Sequence, residues 1–386
     1  AAACKAVYSG SIPDSASTCI YSPMKNNSFI DHLKCFFDES DILFDKKTTD
    51  FYSKDWSSVK NTIPKAVVFP KTKEQIINTI NLCNEYSIPF IGSGGRTGLS
   101  GGATVTNHEL VISFEKMNKI LDFDNSDNTV VCQPGVKTYE LQEFATKNNL
   151  FYPVNFSSAG SSQIGGNIAT NAGGINVVKY GSTKKYVEGL EVISGNGIVY
   201  NYDNRLIKNA SGPDLKDLFV GSEGIFGLFS YCRMKLVERP GETGVAIIKF
   251  SDLSKLNEIR AKLLNNTSLE AIEFFSDNCV KQVKKSFEIS NEISESNYYI
   301  IIEYCDKKIN EIFEELYKDK LIDDVLISKN MNEKLEMWKS RMLISESINS
   351  KKPLKYDLAV SVNNYPHLIE SLEKLQNNFD DLVLVQ

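Results

Sequence analysis

At 386 residues, 42% hydrophobic and 24% charged, the chain has an ordinary globular mixture, long enough for two or three domains with real cores. A net charge of −6 and an isoelectric point near 5.4 argue against a nucleic-acid footprint. No apolar run approaches the roughly 18 residues of a membrane span, and neither a long repeat nor a low-complexity tract is present.

Residues 1–23 are small and rich in Ser, Ala and Thr, with only Lys5 and Asp14 charged, and they lack the apolar core of a signal peptide. They are expected to be a non-native or disordered arm, with Met24 as the native start. Strand-like runs follow at Ala66–Phe69, Pro89–Ile91, Leu110–Ser113, Thr129–Cys132 and Leu190–Ser194. The spacing of Ile76, Ile77, Ile80 and Cys83 predicts a helix over Lys73–Tyr86. Glu238-Arg239-Pro240-Gly241-Glu242 reads as a hinge between domains 24–240 and 241–386. Beyond it come strand Gly244–Phe250, helix Leu253–Leu264, strand Ala271–Phe275, a helix, strand Tyr298–Tyr304, helix Lys308–Tyr317 and strand Val325–Ser328. A long helix over Asn332–Ser347, strand Lys355–Val360, helix Tyr365–Asn377 and strand Asp381–Gln386 complete the chain. The alternation predicts an α+β fold.

Eight cysteines at scattered spacings, without a C-x-x-C pair, speak against structural zinc or a disulfide scaffold and fit a reducing cytoplasm. The three histidines, His32, His108 and His367, lie far apart and read as surface or core residues, so no metal site is expected within the chain.

Glycine divides the sequence: 20 of 23 fall between Gly92 and Gly227, and none follows Gly244. Glycine is entropically costly, so such clustering suggests close approach of main chain to a ligand. The first cluster, I-P-F-I-G-S-G-G-R-T-G-L-S-G-G from Ile88 to Gly102, has six glycines in eleven residues, a run of backbone N–H groups suited to a pyrophosphate. It lacks the lysine of a P-loop, and S-G-G-A-T-V-T-N after it cannot supply the helix of a Rossmann fingerprint. Arg96 is either a cation in this nest or a surface charge. The second, S-S-A-G-S-S-Q-I-G-G-N-I-A-T-N-A-G-G from Ser157 to Gly174, places Ser161, Asn167, Thr170 and Asn171 to bond a flat polar heterocycle, with Gly165, Gly166, Gly173 and Gly174 allowing it near the main chain. The third, L-F-V-G-S-E-G-I-F-G from Leu218 to Gly227, sets Glu223 between glycines. Together they suggest one large ligand crossing several loops.

These stretches resemble the FAD-dependent D-2-hydroxyacid dehydrogenases, the group of D-lactate dehydrogenase, the glycolate oxidase flavin subunit and D-2-hydroxyglutarate dehydrogenase, of the vanillyl-alcohol-oxidase type with a PCMH-type FAD-binding domain. The resemblance is carried by P-K-A-V-V-F-P-K-T from Pro64, G-G-R-T-G-L-S-G-G from Gly94, Q-P-G-V from Gln133, Q-I-G-G-N-I-A-T-N-A-G-G from Gln163, V-V-K-Y-G-S-T from Val177 and L-F-V-G-S-E-G from Leu218. It implies a two-subdomain FAD-binding domain and a cap with a mainly antiparallel sheet. It implies that Gly92, Ser93, Gly94, Gly95, Arg96, Thr97 and Gly98, with Gly101, hold the pyrophosphate. Gly135, Gly160, Ser161, Gly165, Gly166, Asn167, Thr170, Asn171 and Gly173 would line the flavin, with Glu223 and Gly224 nearby. No histidine lies in either glycine loop, so FAD is expected to be non-covalent. Arg341 in M-W-K-S-R-M-L-I-S would grip a substrate carboxylate, with Ser345 one helical turn on, and Lys355 in K-Y-D-L-A-V would assist.

The implied reaction is oxidation of a D-2-hydroxy acid to the 2-keto acid, with hydride passing to flavin N5 and electrons then to a quinone or an electron-transfer flavoprotein. The cytoplasm, or the periphery of the inner membrane, is the expected location, and a homo-oligomer is compatible. The family's H-x-G-D-G-N-x-H segment, which supplies metal ligands and a candidate base, has no counterpart up to Gln386. The family's C-terminal part is therefore expected to be absent, a divalent metal is expected only with residues beyond Gln386, and no general base is named. Two rivals stand beside this reading: a non-catalytic or partner-dependent flavin-binding subunit, and an oxidase of the same fold acting on an alcohol or amine.

Overall fold

The computed structural model describes residues 28–206, 208–289, 293–305, 308–351, 353–356, 358–379 and 383–385; the expected arm 1–23 and Met24 lie outside the described residues. The first sheet comprises β1 (Ile42–Leu43), β2 (Val67–Val68), β3 (Phe90–Ser93) and β4 (Leu110–Ser113), in the order β1-β2-β4-β3, with β2 and β3 both parallel to β4. Parallel strands need a crossover connection, and helix Lys73–Glu85 supplies the one from β2 to β3, which flank β4. Thr72 caps that helix by accepting from Gln75 N at 3.3 Å, and Ile76, Ile80 and Cys83 join Val68, Leu110 and Ile112 in one core.

A second sheet holds β5 (Ile120–Asp124), β6 (Thr129–Cys132), β8 (Val187–Ile193), β9 (Val199–Asn201) and β10 (Leu228–Lys235), antiparallel in the order β5-β6-β10-β8-β9. A short pair, β7 (Leu150–Phe151) with β11 (Val237–Glu238), accompanies it. Its core takes Leu141 and Ala145 from helix Thr138–Lys147, and Ile164 and Ile168 from helix Ile164–Ala169. The second glycine stretch thus contains a helix that its paired glycines conceal.

The chain then builds β12 (Gly244–Phe250), β13 (Leu269–Ser276), β14 (Tyr298–Tyr304) and β15 (Asp324–Ile327), antiparallel in the order β13-β14-β12-β15. Alternation along β12 sends Ala246, Ile248 and Phe250 to one face, under helices Leu256–Asn266, Ile309–Lys318 and Tyr365–Gln376. Val245 and Ile247 go to the other, under helices Asp277–Ser286 and Met331–Met342. Both faces are covered, which is why β12 reads as a nearly continuous apolar run. The architecture is α+β, as the sequence predicts.

Three expectations change. The helix predicted over Asn332–Ser347 is two, Met331–Met342 and Ile344–Asn349, parted at Leu343, where ψ is −1°. The break lets the second piece pack on helix Asp277–Ser286, where Ser286 Oγ donates to Ser347 O at 3.2 Å. The strand expected at Lys355–Val360 does not form among the described residues: Leu354, Tyr356, Leu358 and Val360 alternate in sequence but all are exposed. The strand expected at Asp381–Gln386 falls largely outside the described residues, and 383–385 are not a strand.

The two halves meet at Glu270 on β13. Its side chain is buried, paired with Lys179, and accepts from Tyr180 OH at 2.7 Å and Cys305 Sγ at 2.9 Å. Burial pushes this carboxyl up, but hydrogen bonds from Cys305, Lys179 and Tyr180, with the charge of Lys179, together hold it below its ordinary value of 4.5. A carboxyl depressed in the folded state adds stability above the unfolded value, and loses it as pH falls through the folded value. Glu270→Gln should therefore lower stability at neutral pH by about 1–3 kcal/mol. The gap to wild type should close below about pH 4. Urea melts at several pH values measure this; a gap that persisted in acid would refute the charge-based account.

Candidate active site

The three glycine-rich segments converge on one cavity of about 600 Å³, within the usual range for a cofactor site. Of the residues expected to hold a cofactor, Gly92, Ser93, Gly94, Gly95, Arg96, Thr97, Gly98, Gly165, Gly166, Asn167, Thr170, Asn171, Gly173, Glu223 and Gly224 line it. Gly101, Gly135, Gly160 and Ser161 do not. Ser161 instead braces the first loop from behind: a Cβ on Gly95 would lie 2.1 Å from its carbonyl oxygen, so the two stretches of main chain touch there and only glycine fits. Gly135 is likewise wedged against the carbonyl oxygen of Phe114, 1.9 Å from where its Cβ would be.

The third loop hangs from helix Ile164–Ala169. Gly221 N donates to Ile168 O at 3.0 Å and Glu223 N to Ala169 O at 2.7 Å, satisfying carbonyls that a helix end leaves open. Three non-glycine residues of the wall, Arg96, Asn171 and Glu223, have φ of 55°, 49° and 53°. Left-handed backbone costs roughly 1–3 kcal/mol at each such residue and gathers at functional sites.

The polar side chains divide sharply. Asn167 Nδ2 donates to Thr138 Oγ1 at 2.6 Å, Thr170 Oγ1 to Gly166 O at 2.9 Å, and Asn171 Oδ1 accepts from Lys184 N at 2.9 Å. Each of these three, expected to bond a heterocycle, makes one such bond within the protein. Two other wall atoms make none: Ser93 Oγ and Gln163 Oε1 are buried without a hydrogen-bond partner among the described residues. A buried orphan polar atom is costly unless a ligand satisfies it. Gly166 completes the cradle, since a Cβ there meets nothing within 4 Å and would project into open space. With the amides from Gly94 to Gly98 alongside, the residues present fit FAD.

Gln163 and Asp55 also line the cavity, though sequence reasoning does not single them out. Asp55 accepts from Thr104 Oγ1 at 2.9 Å and Ser57 N at 2.8 Å, and so fixes the outer turn of the first loop. Nothing in its neighbourhood of the sequence signals that role. Gln163 opens the most distinctive stretch, yet a polar residue at a helix N-terminus carries no pattern of its own.

The wall reaches no further along the chain than Phe229 on β10, so none of Arg341, Ser345 and Lys355 belongs to it. Arg341 Nε and Nη2 both donate to Glu273 Oε2, at 2.9 and 2.6 Å. Ser345 is exposed, on the helix beyond the break at Leu343. Lys355 comes nearest to the glycine loops: its Nζ is 5.6 Å from the centroid of the Trp56 ring, and Trp56 N donates to Gly98 O at 3.0 Å. That Nζ is buried and lacks a hydrogen-bond partner among the described residues. Among the described residues no cluster of His, Cys, Asp and Glu could hold a metal, and no helix is long and apolar enough to cross a membrane.

Comparison with known proteins shows the family. The FAD binding domain family matches residues 64–203, and the C-terminal domain of FAD linked oxidases matches residues 239–385. A D-2-hydroxyglutarate dehydrogenase of Stutzerimonas stutzeri (strain A1501) is 36% identical over 359 residues, 91% of this chain and 77% of that protein. One from Xanthomonas citri pv. viticola is 33% identical over 87% of this chain and 73% of its own length. The mitochondrial D-2-hydroxyglutarate dehydrogenase of Danio rerio is 29% identical, over 83% of this chain and 62% of its own. In fold the chain is similar to an alkyldihydroxyacetonephosphate synthase, with a TM-score of 0.72 at 20% identity over 95% of this chain and 75% of that one. It is also similar to p-cresol methylhydroxylase, with a TM-score of 0.66 at 17% identity over 81% and 68%. The chain is a member of the D-2-hydroxyglutarate dehydrogenase family of FAD-linked oxidoreductases, with FAD as its cofactor.

Proposed function

We propose that FAD occupies the glycine-lined cavity, that the chain oxidises a D-2-hydroxy acid to the 2-keto acid, and that the acid is a dicarboxylate of the D-2-hydroxyglutarate class rather than D-lactate or glycolate. Bound FAD supplies the two-electron acceptor for this alcohol-to-ketone conversion. The protein's own part is binding, orientation and exclusion of water. Amides from Gly94 to Gly98 hold the diphosphate, and Ser93 Oγ and Gln163 Oε1 bond the cofactor's polar edge. Phe114, Phe156, Leu228 and Phe229 form a dry wall.

The observation that supports the substrate half is the Lys355 ammonium, its Nζ buried over the Trp56 ring and without a hydrogen-bond partner among the described residues. An ammonium in such a place is unfavourable until an anion meets it. Arg341 offers a second cation: with Nε and Nη2 turned to Glu273, Nη1 and the remaining N–H of Nη2 have no bond among the described residues and could meet an incoming carboxylate. Two cations suit an acid with a carboxylate at each end. The names of the relatives point the same way. The electrons would leave to a quinone or an electron-transfer flavoprotein.

Anaerobic addition of D-2-hydroxyglutarate to the FAD-loaded protein should bleach the flavin at far lower concentration than D-lactate or glycolate, with the L enantiomer inert. Equal bleaching by D-2-hydroxyglutarate, D-lactate and glycolate would defeat the dicarboxylate assignment. Tight FAD binding with no bleaching by any would instead favour a flavin-binding subunit that works through a partner.

A further inference from the structure

The geometry points to Arg96 and Glu115 as a locked ion pair that shapes the diphosphate loop, making Arg96 a positioning residue and leaving main-chain amides to meet the phosphates. This rests on the assignment of the cavity to FAD. Arg96 lies inside the glycine loop, so the expected role for its charge is direct contact with phosphate. Its surroundings oppose that. The guanidinium sits in a corner made by two rings, with Cζ 4.5 Å from the centroids of both Phe51 and Tyr52. The rings themselves meet edge to face, with centroids 5.2 Å apart.

The edge of the guanidinium is occupied as well. Nη1 and Nη2 each lie 3.1 Å from Glu115 Oε1, and Nη1 is 3.4 Å from Gly94 O. Tyr52 closes the arrangement by donating its hydroxyl to the other carboxylate oxygen, Glu115 Oε2, at 3.1 Å. Only 10% of the Arg96 side chain is exposed. Glu115 sits on the turn Phe114–Lys116 that follows β4, and Phe114 is part of the cavity wall. The pair thus ties the glycine loop after β3 to the turn after β4.

Two consequences follow. The positive charge of Arg96 is neutralised locally, so the loop presents a nest of N–H dipoles with little net charge. The left-handed backbone of Arg96, at φ 55°, is held by its own anchored side chain. Removing the guanidinium should loosen the nest, whereas removing the carboxylate should set a cation free beside it.

Titration of apoprotein with FAD at a series of salt concentrations separates these roles. Wild type should show a shallow dependence on salt. Arg96→Gln should weaken FAD about tenfold and, because Glu115 is then left as an unpaired anion beside the nest, added salt should recover part of the loss; Arg96→Lys should not rescue affinity, because a point charge can neither stack nor fork. Glu115→Gln should steepen the slope and tighten FAD at low salt. Tyr52→Phe keeps the ring and deletes only the hydroxyl, so it should move the slope slightly in the direction of Glu115→Gln. The proposal fails if Arg96→Gln flattens a steep wild-type slope, if Arg96→Lys restores affinity, or if neither Glu115→Gln nor Tyr52→Phe changes the slope. Should Arg96→Gln not fold, the last two variants decide. Failure of wild-type apoprotein to take up FAD at all would strike the cofactor assignment itself.

Discussion

Replacing Gly166 with valine should give a folded, colourless protein. A Cβ at this position meets no atom within 4 Å, so the fold has room for the side chain. Valine is also a better helix residue than glycine, and Gly166 lies inside helix Ile164–Ala169. The space it would fill is the cavity, where the proposed site brings FAD up to the main chain. Overpacking costs about 1–3 kcal/mol even where neighbours can shift, and a rigid ring system shifts little. The loss of FAD affinity should be at least about tenfold and approach roughly 100-fold. Absorbance on FAD titration and a thermal melt of the apoprotein check the two halves of this expectation. The melting temperature should stay within a few degrees of wild type while the yellow colour is lost. Normal flavin content would show that the isoalloxazine lies elsewhere. Gly95→Ala makes the contrast: its Cβ would strike the Ser161 carbonyl oxygen at 2.1 Å, so that variant should lose fold and cofactor together.

The difference between those glycines shows where sequence reading stops. Clustering alone marks both as ligand-approaching, and both line the cavity. One is small because another backbone touches it, the other because the cavity does, and that distinction is tertiary. The strands Leu110–Ser113, Thr129–Cys132, Gly244–Phe250 and Tyr298–Tyr304 are legible because short apolar runs between turn signals suffice for them. Helix Ile164–Ala169 is hidden because paired glycines argue against a helix locally, while Ile164 and Ile168, one turn apart, anchor it in the core. Lys355–Val360 fails the other way. Its alternation predicts a strand, but a strand needs a neighbour's hydrogen bonds, and none pairs with it among the described residues. Hydrogen bonding shows the same limit. Asn167, Thr170 and Asn171 each give one bond to the protein, while Gln163 carries a buried acceptor without a partner among the described residues. Residue type reveals capacity to bond; only packing reveals which capacity is unspent.

Replacing Arg341 with alanine should raise KM for the hydroxy acid while leaving bound FAD unchanged. A hydrogen bond between charged groups contributes about 1.5–3 kcal/mol. That corresponds to roughly a 10- to 150-fold rise in KM. Glu273 complicates the single variant. Once Arg341 is gone, its carboxylate is left unpaired with only 23% of the side chain exposed, and it would repel an anionic substrate. Arg341→Ala alone therefore overstates the contact, and the double variant with Glu273→Ala should recover part of the loss. Glu273→Gln supplies the opposite test. It keeps the guanidinium and removes the competing charge, so KM should fall if Arg341 grips substrate. If the pair is instead a strut of the cap, both single variants should lower the melting temperature and activity alike, with KM unmoved. Steady-state kinetics on the three variants, alongside their flavin content, distinguish these outcomes, because only substrate gripping makes the two ends of one ion pair act on KM in opposite directions.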